Sequence, residues 1–513
     1  MEQAGHGDSS AHPWQQSSSD AMPPYAPSYD LAPARSQGRT AGCLLMSASL
    51  AVGLVAVLAL VFVVMRGQPD AGGPGNAGGV GAIGSPDSVV LTEERPGGPP
   101  ESTPDSFQVA EDELRRAVEA HNRAFQAGDL GGYLKIFDQG DAELLEQQTN
   151  TFDNLRKLPF EEAAFEVQQG EGLAKDAFGN WISFSFDVTL EHRFDGVDLR
   201  PVAEWYRWTV AKAGENAPPT VTAVTGTPAT SGDSETDSYP APWDSWPDIS
   251  VVTTEHTVVL TRSAQADMGA RVAPLAEQAA VADLDFWARN GDTGTPVPAR
   301  YMIVLAKGED EQGNLFRRSK RQATEAGISI SMLSSSPEEG SWYVGGSRIV
   351  TNSNAWYFGD VDGGVDELRE LFHHEIAHSL LAPLEHGASL SSLDKWVVEG
   401  FAEYVATHGQ SLDEDGQTPE TRAYVRGERD RPFEGRIPDN ASWDLHGLVG
   451  VNYQLSHLAM QMIAERYGEQ KAVAFVLAHY RGKTADAALT EVLGIGREDF
   501  ERQWAEYVRA KFA

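Results

Sequence analysis

The chain has 513 residues, 41% of them hydrophobic, enough for two or three domains with real cores. Its formal charge of −35, from 75 acids against 40 bases, repels phosphate backbones and argues against nucleic acid as a partner. A single cysteine, Cys43, excludes an internal disulfide framework, a cysteine zinc site and a redox pair.

In chain order, residues 1–41 are rich in Ser, Pro, Gln and Ala and read as a disordered tail. Residues 42–65 carry no charge, are dominated by Leu, Val and Ala, and are long enough to cross a bilayer as one helix. A cleaved signal peptide fits less well, because no small-x-small cleavage pattern follows Met65 and the apolar run starts far from the N-terminus. Arg35 and Arg39 before the run, against Arg66 after it, put the N-terminus in the cytoplasm and the remainder outside the cell membrane. Residues 66–106, with repeated Gly, Pro and Asp, read as a flexible stalk.

Residues 107–226 read as a small α+β domain. Glu111 to Ala127 has helical spacing, and Asp129 is placed to cap a short helix ending near Phe137. Ile182, Phe184, Phe186, Val188 and Leu190 then alternate with polar residues as in a half-buried strand, followed by strands at 201–210 and 221–224. This order of elements is similar to the cone-shaped domains of the nuclear transport factor and ketosteroid isomerase type. That resemblance implies a ligand pocket inside the cone; a spacer or docking domain is the plainer reading.

Residues 227–247, rich in Ser, Thr, Asp and Pro, read as a linker. Beyond them, strands at Thr257–Leu260 and Tyr301–Ala306 flank a helical pattern from Gln265 to Arg289, and Ser341 to Asn354 reads as a hairpin. Val365 to Pro383 is a helix whose Leu368, Phe372, Ile376 and Leu380 form one apolar stripe. On it His374 and His378 lie one turn apart on a common side, where two imidazoles can share a metal ion, and Glu375 is left beside them as a base. His373 has no sequence neighbour at metal spacing and reads as packing or solvated. A second helix, Ser391 to Gly409, opens with a Ser391/Asp394 capping-box pattern and carries Glu399 and Glu403 one turn apart. Gly400 in its middle costs about 1 kcal/mol against Ala, which a close backbone approach would justify.

His374-Glu375-x-x-His378, followed by Glu399-Gly400-Phe401-Ala402-Glu403, resembles the gluzincin metallopeptidases, the group that includes thermolysin and aminopeptidase-like enzymes. The resemblance covers roughly residues 248–513 and implies one zinc per chain held by His374, His378 and Glu399. It further implies Glu375 as the base that activates water, Glu403 as a carboxylate steadying a ligand histidine, and a peptide or protein as substrate. In such enzymes the strand before the metal helix is a sheet edge for the substrate, here Arg348, Ile349, Val350 and Thr351; an ordinary core strand is the other reading. A tyrosine at the start of a later helix donates to the oxyanion, and Tyr453 stands in that position, with His446 and His457 as rival donors. No G-x-M-E-N segment is present, so endopeptidase and exopeptidase both stay open.

The fold class expected is therefore α+β, a membrane-anchored two-domain ectodomain whose second part, 248–513, is a gluzincin-like peptidase with a helical C-terminal region. A zinc-containing binding or sensing module without hydrolysis is the alternative, against which an intact Glu375 speaks.

Overall fold

Alternation of apolar side chains along the strands decides how the layers stack. The computed structural model describes residues 105–512 apart from 176–178, 180, 215–216, 230–233, 321–322, 324, 337–340, 360–365, 387–392, 412–417, 430 and 444–446. The expected tail, the expected membrane span at 42–65 and nearly all of the expected stalk lie outside the described residues. Among those described, no helix is long and apolar enough to cross a membrane. The fold is α+β, with two sheets and helices on their faces.

The first layer opens with α1 (Asp105–Ala127), α2 (Leu130–Leu134) and α3 (Ala142–Leu155). Asp129 caps α2 as its sequence suggests, accepting from the Gly132 N–H at 3.0 Å. An antiparallel meander follows: β1 (Phe160–Lys175), β2 (Trp181–Phe194), β3 (Val202–Ala211) and β4 (Thr220–Gly226). Strand β1 shifts register against β2 at several points, and such bulges bend a strand.

The described residues of 227–247 form a packed strap in place of the expected linker. Tyr239, Trp243 and Trp246 in this stretch, which includes α4 (Pro242–Ser245), are all buried. Trp243 Nε1 donates to Glu204 on β3 at 3.0 Å, and Asn154 of α3 donates to the Trp246 carbonyl at 2.7 Å. The Ser, Thr and Pro content conceals aromatic anchors that only the tertiary structure uses.

The second sheet has the order β5 (Ile249–Thr253), β6 (Thr257–Arg262), β7 (Tyr301–Ala306), β9 (Val344–Asn352), β8 (Gly327–Leu333). Strands β6, β7 and β9 are parallel, while β5 and β8 run antiparallel to their neighbours. Both faces are covered. Ile303, Leu305 and Ile349 join a core with α5 (Ala266–Asn290) and α7 (Asp366–Leu381), whereas Met302, Val304 and Val350 join the core of the first sheet. Two-sided burial explains the continuous apolar run Tyr-Met-Ile-Val-Leu-Ala of β7. The helix α6 (Glu309–Asn314) lies between β7 and β8 in the chain. Ser341 to Asn354 is not a hairpin on its own; its strand part is β9, and the hairpin partner is β8.

Where the layers meet, Arg348 of β9 is fully buried and paired with Asp198, its Nη1 at 2.7 Å from Oδ1 and Nη2 at 3.0 Å from Oδ2. His192 Nε2 lies 3.3 Å from the same guanidinium, and burial pushes that imidazole down to about 4, so it stays neutral beside the cation. Removing one partner of such a pair leaves a bare buried charge. Asp198→Ala is expected to lower stability by roughly 3–5 kcal/mol, measured by urea unfolding of the full chain; a loss under 1 kcal/mol would show that the two layers do not depend on the pair.

Candidate metal centre

The apolar stripe read from the sequence sets the orientation of α7. Leu368, Phe372 and Ile376 are fully buried and Leu380 nearly so, which turns His374, Glu375 and His378 toward β8 and α8 (Lys395–Ala406). The residues of β8 on this side are small: Ser329 Oγ meets Ser379 Oγ at 2.9 Å, and a Cβ on Gly327 would come 3.0 Å from Glu375 Oε1. Helix α8 begins after Asp394, and Ser391 of the expected capping box lies outside the described residues. All of α8 is buried. It crosses α10 (Val449–Tyr467), which follows α9 (Thr418–Val425) in the chain, at Gly400, where a Cβ would fall 2.6 Å from the Ser456 carbonyl oxygen. The mid-helix glycine is thus a packing requirement between two backbones.

This packing brings three donor atoms together. His374 Nε2 and His378 Nε2 are 3.0 Å apart, and Glu399 Oε2 lies 3.4 Å from the first and 3.3 Å from the second. The three residues form a buried group that could hold a metal ion. Bonds of about 2.0–2.1 Å to a tetrahedral ion put neighbouring ligand atoms roughly 3.3–3.4 Å apart, so the donor set fits an ion at its centre with almost no adjustment. Glu399 Oε2 is buried without a hydrogen-bond partner, which is the condition a cation would relieve.

Glu403, one turn past Glu399, places Oε1 3.2 Å from His374 Nδ1, the ring nitrogen pointing away from the other donors. A carboxylate there fixes the tautomer that offers Nε2. Burial disfavours charge on His374, but its contacts with Glu399 and Glu403 hold its pKa well above the ordinary value. Burial likewise pushes Glu399 up, yet His378 and His374 outweigh it and hold the carboxyl well below the usual range. Glu375 stands outside the ligand group, 2% exposed; burial raises its pKa, partly offset by His374 and His378, and its carboxylate accepts the Ser329 N–H.

Tyr453 lies in α10, buried, with its ring 6.0 Å from the His374 ring and edge-on to Trp443 at 5.4 Å. His457 faces elsewhere, with Nε2 3.4 Å from the Thr407 hydroxyl, and His446 is outside the described residues. Arg348, Ile349, Val350 and Thr351 are corrected as an edge: they sit on β9 between β7 and β8, and the terminal strand beside the metal group is β8. The pattern alone could not separate two adjacent strands that both mix apolar residues with Gly and Ser.

Two buried groups near the centre escaped the sequence reading, and His373, which reads there as packing or solvated, has a specific partner. Glu385, just beyond α7, is pushed up to about 8 by burial and contacts Ser331 Oγ at 3.4 Å. Tyr480, at the end of α11 (Glu469–Tyr480), is held well above the usual phenol range by burial and then by the charges of Glu385 and Glu399. His373 Nδ1 donates to Asp283 Oδ1 of α5 at 2.6 Å, a partner 90 residues away that no local spacing reveals. Elsewhere among the described residues, Glu255, His256 and Glu277 also cluster, but Glu277 is partly exposed and already engaged by His256 and Thr254.

No family model matches the chain, and no curated protein matches it. Its chemistry is therefore read from these distances and burials.

Two outcomes follow from the geometry. Gly400→Ala gains about 1 kcal/mol of helix propensity but forces the backbones of α8 and α10 apart, for a net loss of roughly 1–2 kcal/mol in urea unfolding. Because the raised pKa of His374 keeps it protonated at neutral pH without metal, uptake of an ion is expected to release about one proton, and affinity to rise with pH until that histidine is neutral. Titration in weak buffer with a pH indicator reads the proton directly; no release at pH 7 would contradict the assignment of His374 as a ligand.

Proposed function

We propose that the chain is a membrane-anchored, extracytoplasmic zinc metallopeptidase that hydrolyses peptide bonds, its ectodomain made of the 107–226 layer and the 248–513 peptidase region. The observation that carries this reading is the convergence of His374, His378 and Glu399 within 3.4 Å while Glu375, equally buried, stays out of the group. Three protein donors with a carboxylate held apart is the pattern of a catalytic rather than a structural zinc site. The apolar run at 42–65 and the gluzincin-like motifs support the anchor and the substrate class.

Zinc bound there would act as a Lewis acid toward the scissile carbonyl and lower the pKa of water toward neutrality. The protein supplies the rest. Glu375, with its pKa raised by burial and its carboxylate steadied by the Ser329 N–H, takes a proton from the attacking water and gives it to the leaving amine. Glu403 keeps His374 in the tautomer that presents Nε2. Tyr453, on the His374 side of the group, is the residue assigned to donate to the oxyanion. The alternative, a zinc-holding module that binds without cutting, gives no role to a buried carboxylate beside the donors.

Three variants separate the roles. Glu375→Gln should keep zinc and lose peptide hydrolysis by at least about 10²-fold; Glu399→Ala should lose metal and activity together; Glu403→Ala should fall between them, on the order of 10–100-fold. Elemental analysis, expected to give about one zinc per chain in the parent, together with hydrolysis of a mixed peptide library measures all of these. Full activity in Glu375→Gln would sink the mechanism, and a parent that cuts nothing would favour the binding module.

A further inference from the structure

The outer side of β8 is engaged at two points. Near its start the Ser329 N–H donates to Glu375, the proposed base. Just past its end the Ser335 N–H donates to the Pro201 carbonyl at 2.8 Å, and Ser334 forms an antiparallel bridge with Val202. The Ser334 N–H points the opposite way, to the Tyr343 carbonyl at 2.8 Å. Successive N–H groups of a strand alternate sides, so Pro201 and Val202 lie on the edge away from β9, the same edge that Glu375 meets. This crossing is firmly seated. A Cβ on Gly345 would come 2.6 Å from Val202 Cγ1, and one on Gly346 would come 1.9 Å from Asp198 Oδ1, so only two glycines in β9 let residues 198–202 pass. Arg200 adds donations to the Val344 and Pro383 carbonyls at 3.3 and 3.2 Å, and Val202 is wholly buried.

Among the described strands β8 is the terminal one, and a sheet edge accepts an extended chain by backbone pairing. From Ser329 to Ser335, at about 3.4 Å per residue, the edge runs roughly 20 Å. Antiparallel pairing, the more stable arrangement per residue, sends the amino-terminal side of an added chain from Glu375 toward Pro201.

We propose that the crossing of residues 198–202 is a stop that leaves room for about five residues on the amino-terminal side of the scissile bond, so that the enzyme removes short peptides from the N-termini of its substrates. The inference rests on the peptidase reading and gives the 107–226 layer a task in it: a longer chain meets Pro201 and Val202 and cannot stay paired over Glu375. The reaction is hydrolysis, in which water oxygen bonds to the carbonyl carbon, the C–N bond breaks and the proton passes through Glu375 to the new amine.

The test uses the full-length, zinc-loaded chain and one linear peptide that it cuts, remade with N-terminal extensions of increasing length and in a head-to-tail cyclic form, with products read by mass spectrometry. Cuts are expected within about five residues of the N-terminus, with kcat/KM for the original bond falling at least tenfold once an extension exceeds that length, and the cyclic peptide left intact. Ser335→Pro, which deletes the N–H holding Pro201, is expected to move cuts further from the N-terminus with zinc content unchanged. Cleavage of the cyclic peptide at the linear rate, trimming from the C-terminus, or unmoved cuts in Ser335→Pro would each overturn the stop. Failure to cut any peptide would instead overturn the peptidase reading, and this inference with it.

Discussion

Two imidazole nitrogens and a carboxylate oxygen within 3.4 Å of one another in a dry interior repel each other unless a proton or a cation lies between them. Packing elsewhere must hold them there. The rigid stack of sheet, α7, α8 and α10 does so: the apolar stripe of α7 locks onto the sheet, and the glycine crossing at Gly400 lets α10 press α8 toward α7. The donor set is therefore preorganised for an ion, and the contacts of His374 with Glu399 and Glu403 that raise its pKa come from the same packing.

Glu403 and Gly400 show how one helix can carry several unrelated demands. Within five consecutive positions α8 provides a donor of the candidate metal group, a backbone crossing point, an apolar contact and a carboxylate for His374. Helical periodicity separates these demands onto different sides, so a change on any side of this compact segment is expected to disturb one of them.

Much of this was legible because it is local. The spacing of Leu368, Phe372, Ile376 and Leu380 gave both the helix and the face that carries His374 and His378, and Gly400 announced a close approach before its partner was visible. What the residues do not encode locally was misread or missed. The edge position passed to Arg348–Thr351 instead of β8, because strand order is a property of the whole sheet. The strap at 227–247 looked like a linker because two buried tryptophans sit among turn-forming residues. Asp283, the partner of His373, is 90 residues away, beyond the reach of any periodicity.

The Arg348–Asp198 pair bears on how the molecule is assembled. β9 comes late in the chain, and its guanidinium, fully enclosed in the finished fold, depends on a carboxylate made 150 residues earlier. A fragment beginning at the second sheet would leave the Met302, Val304 and Val350 face uncovered, with Arg348 on that face deprived of Asp198. The 248–513 region is therefore built to close over a first layer already in place, so the amino-terminal half acts as a built-in template for the half that holds the candidate metal centre.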